Sequence, residues 1–173
     1  LPIIAGMLCL LFGCKGSNSK AKTVMEHEQN SIIQIKICYD NTEPAITFAA
    51  KDLEKILASK NISATLCDLT ELTNKSEGVQ IIITKNNSCA MASLKAAGGA
   101  DLMELGEQDY ALRVTGEGAA KRYWAIGGDR IGAMYGGIHI GEIIKAFGLD
   151  SLKDEDHTPY ISKRGIKFNI PLD

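Results

Sequence analysis

Glycines inside an apolar, helix-length segment constrain the fold of this chain more than any other feature. The segment spans residues 130–147 and has four interior glycines among isoleucines: Gly132, Gly136, Gly137 and Gly141. Each interior glycine costs a helix roughly 0.5–1 kcal/mol relative to alanine, so several together indicate that backbone must approach backbone closely. A helix that is apolar on most sides is also buried on most sides. We therefore predict a helix between its own sheet and something larger, such as a following domain.

Strand-like and helix-like segments alternate ahead of that helix. Apolar residues recur at helical spacing for about 16 residues from Pro44, with Thr42 as the predicted N-cap. Asp129 is placed to cap the later helix and Gly148 to end it. The remaining predicted elements are strands near 32–38, 62–66, 79–83, 110–115 and 121–126, and a short helix near 89–97. The order β-α-β-β-(short α)-β-β-α predicts an α+β domain, with a mixed β-sheet and two long helices on one face.

The N-terminus differs in kind from the rest. Residues 1–14 are mostly apolar but shorter than the roughly 20 residues that span a bilayer, so they fit a secretory signal. The Leu-Phe-Gly-Cys tetrapeptide that ends at Cys14 resembles a bacterial lipobox, which implies lipidation of Cys14. The alternative is an ordinary signal peptide in which Cys14 has no role. Residues 15–30 are polar and predict a flexible tether. The expected location is the bacterial cell envelope, periplasmic or at the outer-membrane surface, with the lipid as the only membrane contact.

The cysteines of the folded part show no spacing that indicates chemistry. Cys38, Cys67 and Cys89 form no CxxC pair, so neither a zinc motif nor a redox motif is indicated. One disulfide is possible in an oxidising compartment. We favour the interpretation that Cys38 and Cys67 are small buried residues within strands.

Charge and glycine patterns argue against nucleic acids and nucleotides. The 19 basic and 21 acidic residues are mixed along the chain, with no basic stripe to neutralise phosphates, so we predict no nucleic-acid partner. Residues 126–132 place glycines between a strand and a helix, where an anion can bind. However, neither the GxxxxGK[ST] nor the GxGxxG pattern is present, and Asp129 adds a negative charge. We therefore nominate no cofactor.

No catalytic constellation stands out. His139 is predicted to be a packed or interface side chain. His157 lies beside Asp154, Glu155 and Asp156, which together could bind a cation weakly, but a solvated linker is the favoured interpretation. No pair of carboxylates suited to glycoside hydrolysis can be chosen. The sequence thus nominates no catalytic residue and no metal site.

Two motifs resemble a known family. They are Trp-Ala-Ile-Gly-Gly-Asp-Arg-Ile-Gly-Ala-Met-Tyr-Gly-Gly at 124–137 and Pro-Tyr-Ile-Ser-Lys-Arg-Gly at 159–165. Together they resemble the non-catalytic N-terminal domain that precedes the barrel in bacterial beta-N-acetylhexosaminidases and alpha-glucuronidases. The similarity covers residues 32–170. It implies a sheet with two long helices on one side, packed against a (β/α)8 barrel.

The N-terminal pattern and the resemblance together imply a division of the chain, and the resemblance implies one binding residue. The expected division is a signal with lipobox at 1–14, a tether at 15–30, an α+β accessory domain at 31–150, a linker at 151–163 and the start of a truncated (β/α)8 barrel at 164–173. In hexosaminidases the Arg of Arg-Gly hydrogen-bonds sugar hydroxyls, which makes Arg164 the candidate substrate-binding residue. The run that follows, 166–171, departs from the family pattern and leaves the sugar unspecified.

The expected function is therefore that of a supporting domain. The chain would be the non-catalytic N-terminal part of a secreted, lipid-anchored glycoside hydrolase that takes part in glycan breakdown. Its partners would be the C-terminal catalytic barrel of the same polypeptide and the glycan substrate. By itself it would not hydrolyse anything, since the family's catalytic carboxylates come from later barrel strands. The alternative is a free-standing carbohydrate-binding surface lipoprotein.

Overall fold

The computed structural model describes residues 34–72 and 78–160, which contain a six-stranded sheet with helices on both faces. The elements are β1 Gln34–Tyr39, α1 Pro44–Ser59, β2 Ser63–Asp68, β3 Val79–Lys85, α2 Ser88–Ala96, β4 Tyr110–Thr115, β5 Arg122–Gly127, α3 Arg130–Phe147 and β6 Glu155–His157. The strand order is β2-β1-β3-β5-β4-β6. Strands β2, β1, β3 and β5 pair in parallel, whereas β4 pairs antiparallel with both β5 and β6. The predicted α+β class and mixed sheet are confirmed.

One face of the sheet carries the two long helices. Side chains from β1, β3 and β5 meet α1 and α3 there, and the fully buried members include Ile37, Ile81, Leu53 and Ala133. Ile82, which lies between two residues of this face, points to the opposite side and is also fully buried. Strand β3 is therefore covered on both faces, as three consecutive isoleucines indicate.

The opposite face carries the short helix α2. Leu94 of α2 packs with Cys38, Ile82, Trp124 and Ile126 in a second, smaller cluster. The Trp124 indole Nε1 donates a hydrogen bond of 2.9 Å to the Thr115 hydroxyl. The sheet is thus covered by two long helices on one side and by one short helix on the other.

The glycines of α3 are explained by packing inside this domain. A Cβ on Gly132 would lie 2.1 Å from the carbonyl oxygen of Asp109, and one on Gly137 would lie 3.0 Å from the Cβ of Ala49. A Cβ on Gly141 would lie 2.8 Å from Ile56. The predicted approach of backbone to backbone is therefore found at Gly132, against the loop before β4, whereas Gly137 and Gly141 meet side chains of the sheet and of α1. A larger neighbour on the outer side of α3 stays a prediction.

The ends of the helices confirm most of the predicted caps. The carboxylate of Asp129 accepts a hydrogen bond from the Gly132 amide at the start of α3, and Gly148 follows its end with a φ of 91°. At α1 the prediction of Thr42 as N-cap is wrong. Glu43 occupies that position, directly before Pro44 and without a side-chain cap, and the Thr42 hydroxyl donates to Asp40. Asp40 and Thr42 form a local turn of the kind that short polar side chains favour.

Strand β6 lies within residues 151–163, which were predicted to be a linker. Glu155 pairs with Leu112 and His157 with Tyr110, so part of the acidic stretch is an edge strand of the sheet. An ion pair holds β6 against β4. The side chain of Arg113 on β4 is only 4% exposed, and Asp156 on β6 supplies its counter-charge at 2.7 Å. A buried guanidinium requires such a partner.

Within residues 34–72 and 78–160, none of the helices combines the length and the hydrophobicity that crossing a bilayer requires.

Two cysteines face each other across β1 and β2. The Sγ atoms of Cys38 and Cys67 lie 2.7 Å apart, and both residues are free thiols. Burial raises the pKa of both thiols. Cys38 is buried as predicted, whereas Cys67 is half-buried. Because the thiolate is the reactive form, neither side chain should react readily in the folded protein.

This environment predicts selective labelling. Under reducing, native conditions we expect iodoacetamide to alkylate the exposed Cys89 roughly 100-fold faster than Cys38 or Cys67. Peptide mass spectrometry at timed intervals measures the three rates, and the same reaction in denaturant should bring them together. Equal native rates for Cys38 and Cys89 would contradict the buried position of Cys38.

Candidate functional site

A groove of about 720 Å³ lies between α3 and the edge of the sheet formed by β4 and β6. Helix α3 contributes Tyr135, Ile138, His139 and Glu142, and Tyr110 comes from β4. Residues 157–160 line the remaining side. The groove therefore combines aromatic rings with groups that can donate and accept hydrogen bonds, which is the usual chemistry of a binding cleft.

Three rings connect the helix to the sheet edge. The Tyr110 ring stacks on His157 with centroids 4.8 Å apart, and the ring of His139 meets His157 edge-on at the same separation. The Tyr110 hydroxyl lies 3.2 Å from the Nδ1 atom of His139. Each ring thus restricts the orientation of the other two.

The charge state of this cluster follows from its contacts. His157 Nε2 and Glu155 Oε2 lie 3.0 Å apart, and the hydrogen bond from His157 is the main reason why the pKa of Glu155 is lowered. Burial, and then the charge of His157, lowers the pKa of His139. At neutral pH, Glu155 is therefore a carboxylate and His139 a neutral imidazole with one nitrogen lone pair.

The carboxyl ends of the parallel strands form a second, smaller cleft of about 400 Å³. Ligands of open α/β sheets often bind at such ends. Here Lys85 forms ion pairs with Glu43 and Asp40, and Asp129 already accepts the Gly132 amide at the start of α3. The position where a phosphate would lie is therefore occupied by a carboxylate.

The structure brings together residues that the sequence treated separately. His139, predicted to be a packed or interface side chain, is half-buried in the groove, and His157, predicted to lie in a solvated linker, is stacked against Tyr110. Glu155 and His157 alternate with Asp156 along β6, so they share one side of the sheet. In the sequence, the one sign of this arrangement is the alternation of these three residues, which can be recognised only if residues 155–157 are treated as a strand. The predicted site residues Cys14 and Arg164, like the tether and the barrel strand, lie outside the described residues.

Comparison with known proteins adds information on the fold. No family profile and no curated protein matches the sequence. Among solved structures, a GH138 enzyme targeting pectin rhamnogalacturonan II is similar, with a TM-score of 0.50 and 15% identity over 73% of this chain. CpGH84D, a GH84 protein, aligns with a TM-score of 0.48 and 13% identity over 72% of this chain. The chain spans only 15% and 19% of those proteins, respectively. At such low identity the likeness to the GH138 enzyme extends to the fold alone.

Proposed function

We propose that this chain is a non-catalytic α+β accessory domain of a secreted glycoside hydrolase, and that it supports a (β/α)8 barrel of the same polypeptide. The fold likeness to the GH138 enzyme supports the proposal, because most of this chain corresponds to a small part of that enzyme. The family resemblance of residues 124–137 and 159–165 supports it independently of the fold.

The observation that carries the proposal is the outer side of α3. The side of this helix that faces the sheet is fully buried, and its outer side carries four half-buried apolar residues, Ile131, Met134, Tyr135 and Ile138. Met134 and Ile138 also touch the domain's own core, so their remaining surface is what a partner would cover. Tyr160, which lines the same groove as Tyr135 and Ile138, is fully exposed. Apolar groups gathered on one side mark a docking surface more often than a solvated one.

The same proposal gives a role to residues near each end of the chain. Cys14 would carry lipid, residues 15–30 would hold the domain away from the membrane, and Arg164 would contact the sugar from the first barrel strand.

The alternative, a free-standing carbohydrate-binding lipoprotein, is favoured by one observation. Tyr110, Tyr135 and the fully exposed Tyr160 line the groove, and aromatic rings are suited to stacking on sugars.

Two experiments separate these alternatives. Reading the gene beyond the codon for Asp173 should reveal an in-frame barrel of alternating strands and helices, and an immediate stop codon would contradict the proposal. The present chain should neither hydrolyse a panel of aryl glycosides nor bind soluble glycans in calorimetric titration. Glycan binding by the chain alone would favour the carbohydrate-binding lipoprotein.

A substitution on α3 tests the docking surface. In the full-length protein, Ile138→Asp should lower the melting temperature of the barrel by roughly 5 °C, because a carboxylate buried at an interface loses its hydration. Differential scanning calorimetry measures the shift. The matched control is Phe48→Asp on α1, which replaces an apolar residue that is 60% exposed and should have little effect. Both substitutions are repeated in the 173-residue chain to subtract effects on this domain itself. Equal shifts for the two variants would contradict docking at α3.

A further inference from the structure

Three side chains with the chemistry of metal ligands converge where α3 meets β6. The ligand atoms of His139, Glu155 and His157 all lie within 4.8 Å of one another. Around a tetrahedral ion with metal–ligand distances near 2.0–2.1 Å, ligand atoms are about 3.4 Å apart, so small side-chain rotations complete the set. We propose that these three residues bind one divalent transition-metal ion, such as Zn²⁺.

The backbone already holds the three residues in place. Glu155 and His157 are two residues apart on β6, so both project to the side of the sheet that α3 covers. Strand β6 is fixed by its pairing with β4 and by the 2.7 Å ion pair between Arg113 and Asp156 on its other side. Metal binding would then require side-chain rotation only, and the hydrogen bond between His157 and Glu155 would be replaced by two bonds to the ion.

Contacts around the ligands also suit the proposal. The Tyr110 hydroxyl lies 3.2 Å from Nδ1 of His139 and accepts a hydrogen bond when that nitrogen carries the proton. The lone pair is then on Nε2, and such an outer contact commonly fixes the tautomer of a ligating histidine. Lys153 lies 3.4 Å from the other oxygen of Glu155, but its side chain is 76% exposed. Solvent screens that charge, so it opposes a cation only weakly.

The donor set indicates the class of metal. Two imidazole nitrogens and one carboxylate suit Zn²⁺, Co²⁺, Ni²⁺ or Cu²⁺, whereas Mg²⁺ and Ca²⁺ prefer oxygen ligands alone. Three protein ligands leave a fourth position for water or a ligand oxygen, next to the groove of about 720 Å³. The ion would join α3 to the edge strand. This role goes beyond the proposed accessory function and does not depend on it.

Metal titration of the 173-residue chain tests the proposal. We expect one equivalent of Zn²⁺ by calorimetry, a tetrahedral visible spectrum with Co²⁺ and a rise in melting temperature of roughly 5 °C with excess Zn²⁺. Mg²⁺ should have no effect. His139→Gln and His157→Gln should each weaken Zn²⁺ binding at least about 100-fold. The matched control is His27→Gln, since the chain contains only three histidines, and this variant should bind as the parent does.

A further variant keeps the test decisive if a histidine substitution prevents folding. Glu155→Gln retains a hydrogen-bond partner for His157 and removes the charge, so it should melt like the parent in the presence of a chelator and yet bind Zn²⁺ more weakly. Unchanged Zn²⁺ binding in the Glu155 variant and in the folded histidine variants would overturn the proposal. So would loss of binding in His27→Gln, or a thiolate-to-Co²⁺ charge-transfer band, which would assign the ion to cysteine.

Discussion

The Gly132→Ala substitution should lower the free energy of unfolding by about 3 kcal/mol, because its methyl group has no space. A Cβ at this position would lie 2.1 Å from the carbonyl oxygen of Asp109. Neither the backbone of Gly132 nor the carbonyl group of Asp109 can move easily. The Gly132 amide donates to Asp129 at 2.7 Å, and the Asp109 oxygen accepts from the Gly128 amide at 2.9 Å. Urea denaturation followed by the fluorescence of Trp124 measures the loss.

The matched control lies one turn further along the same helix. A Cβ on Gly136 would meet side chains instead of backbone, namely Ala125 at 3.1 Å and Tyr110 at 3.2 Å. Alanine also favours the helix by up to about 1 kcal/mol relative to glycine. Gly136→Ala should therefore stay within about 1 kcal/mol of the parent. Similar losses for both variants would mean that the contact between Gly132 and Asp109 is not the cause.

The Trp124→Ala substitution should be the most destabilising change on the α2 side of the sheet, with a loss of about 4 kcal/mol. Trp124 is fully buried among Cys38, Ile82, Ile126 and Leu94. Its removal leaves a cavity between the sheet and α2, and it also leaves the buried hydroxyl of Thr115 without the indole donor. Because the only tryptophan is lost, unfolding must be followed by circular dichroism.

Two further variants separate the cavity from the hydrogen bond. Trp124→Phe keeps an aromatic ring and should lose about half as much stability as Trp124→Ala. Thr115→Val removes the hydrogen-bond partner while nearly preserving volume, so its loss isolates the polar contact at about 1 kcal/mol. If Trp124→Phe were as unstable as Trp124→Ala, the hydrogen bond would outweigh the packing.

The elements predicted correctly are those with local signals. Helical spacing predicted a helix of about 16 residues from Pro44, and α1 has that length. A strand was predicted near 79–83, where β3 Val79–Lys85 lies, and Asp129 and Gly148 marked the ends of α3. Each of these signals depends on residues that are close along the chain, so a single sequence suffices to interpret them.

The elements missed are those that distant residues stabilise. Strand β6 has three residues, too few for an alternating pattern. The buried Arg113, with which its Asp156 pairs, lies some 40 positions earlier in the chain. The groove escaped prediction for the same reason, since His139 and His157 meet only when β6 joins the sheet beside Tyr110. The glycines of α3 were interpreted as a sign that backbone approaches backbone, which holds at Gly132 but not at Gly136, Gly137 or Gly141. Their immediate neighbours, however, are the domain's own sheet, loop and first helix.

The side chain of Arg113 joins three separate stretches of the chain. Its guanidinium donates to the carbonyl oxygens of Leu112, Asp101 and Glu155, and it pairs with Asp156. If β6 detached, a buried positive charge would lose its carboxylate and one of its acceptors in the same event. Fraying of the sheet edge one residue at a time is therefore disfavoured. The edge strand and the stretch around Asp101 should open and close together, as one cooperative unit in the native-state fluctuations of the protein.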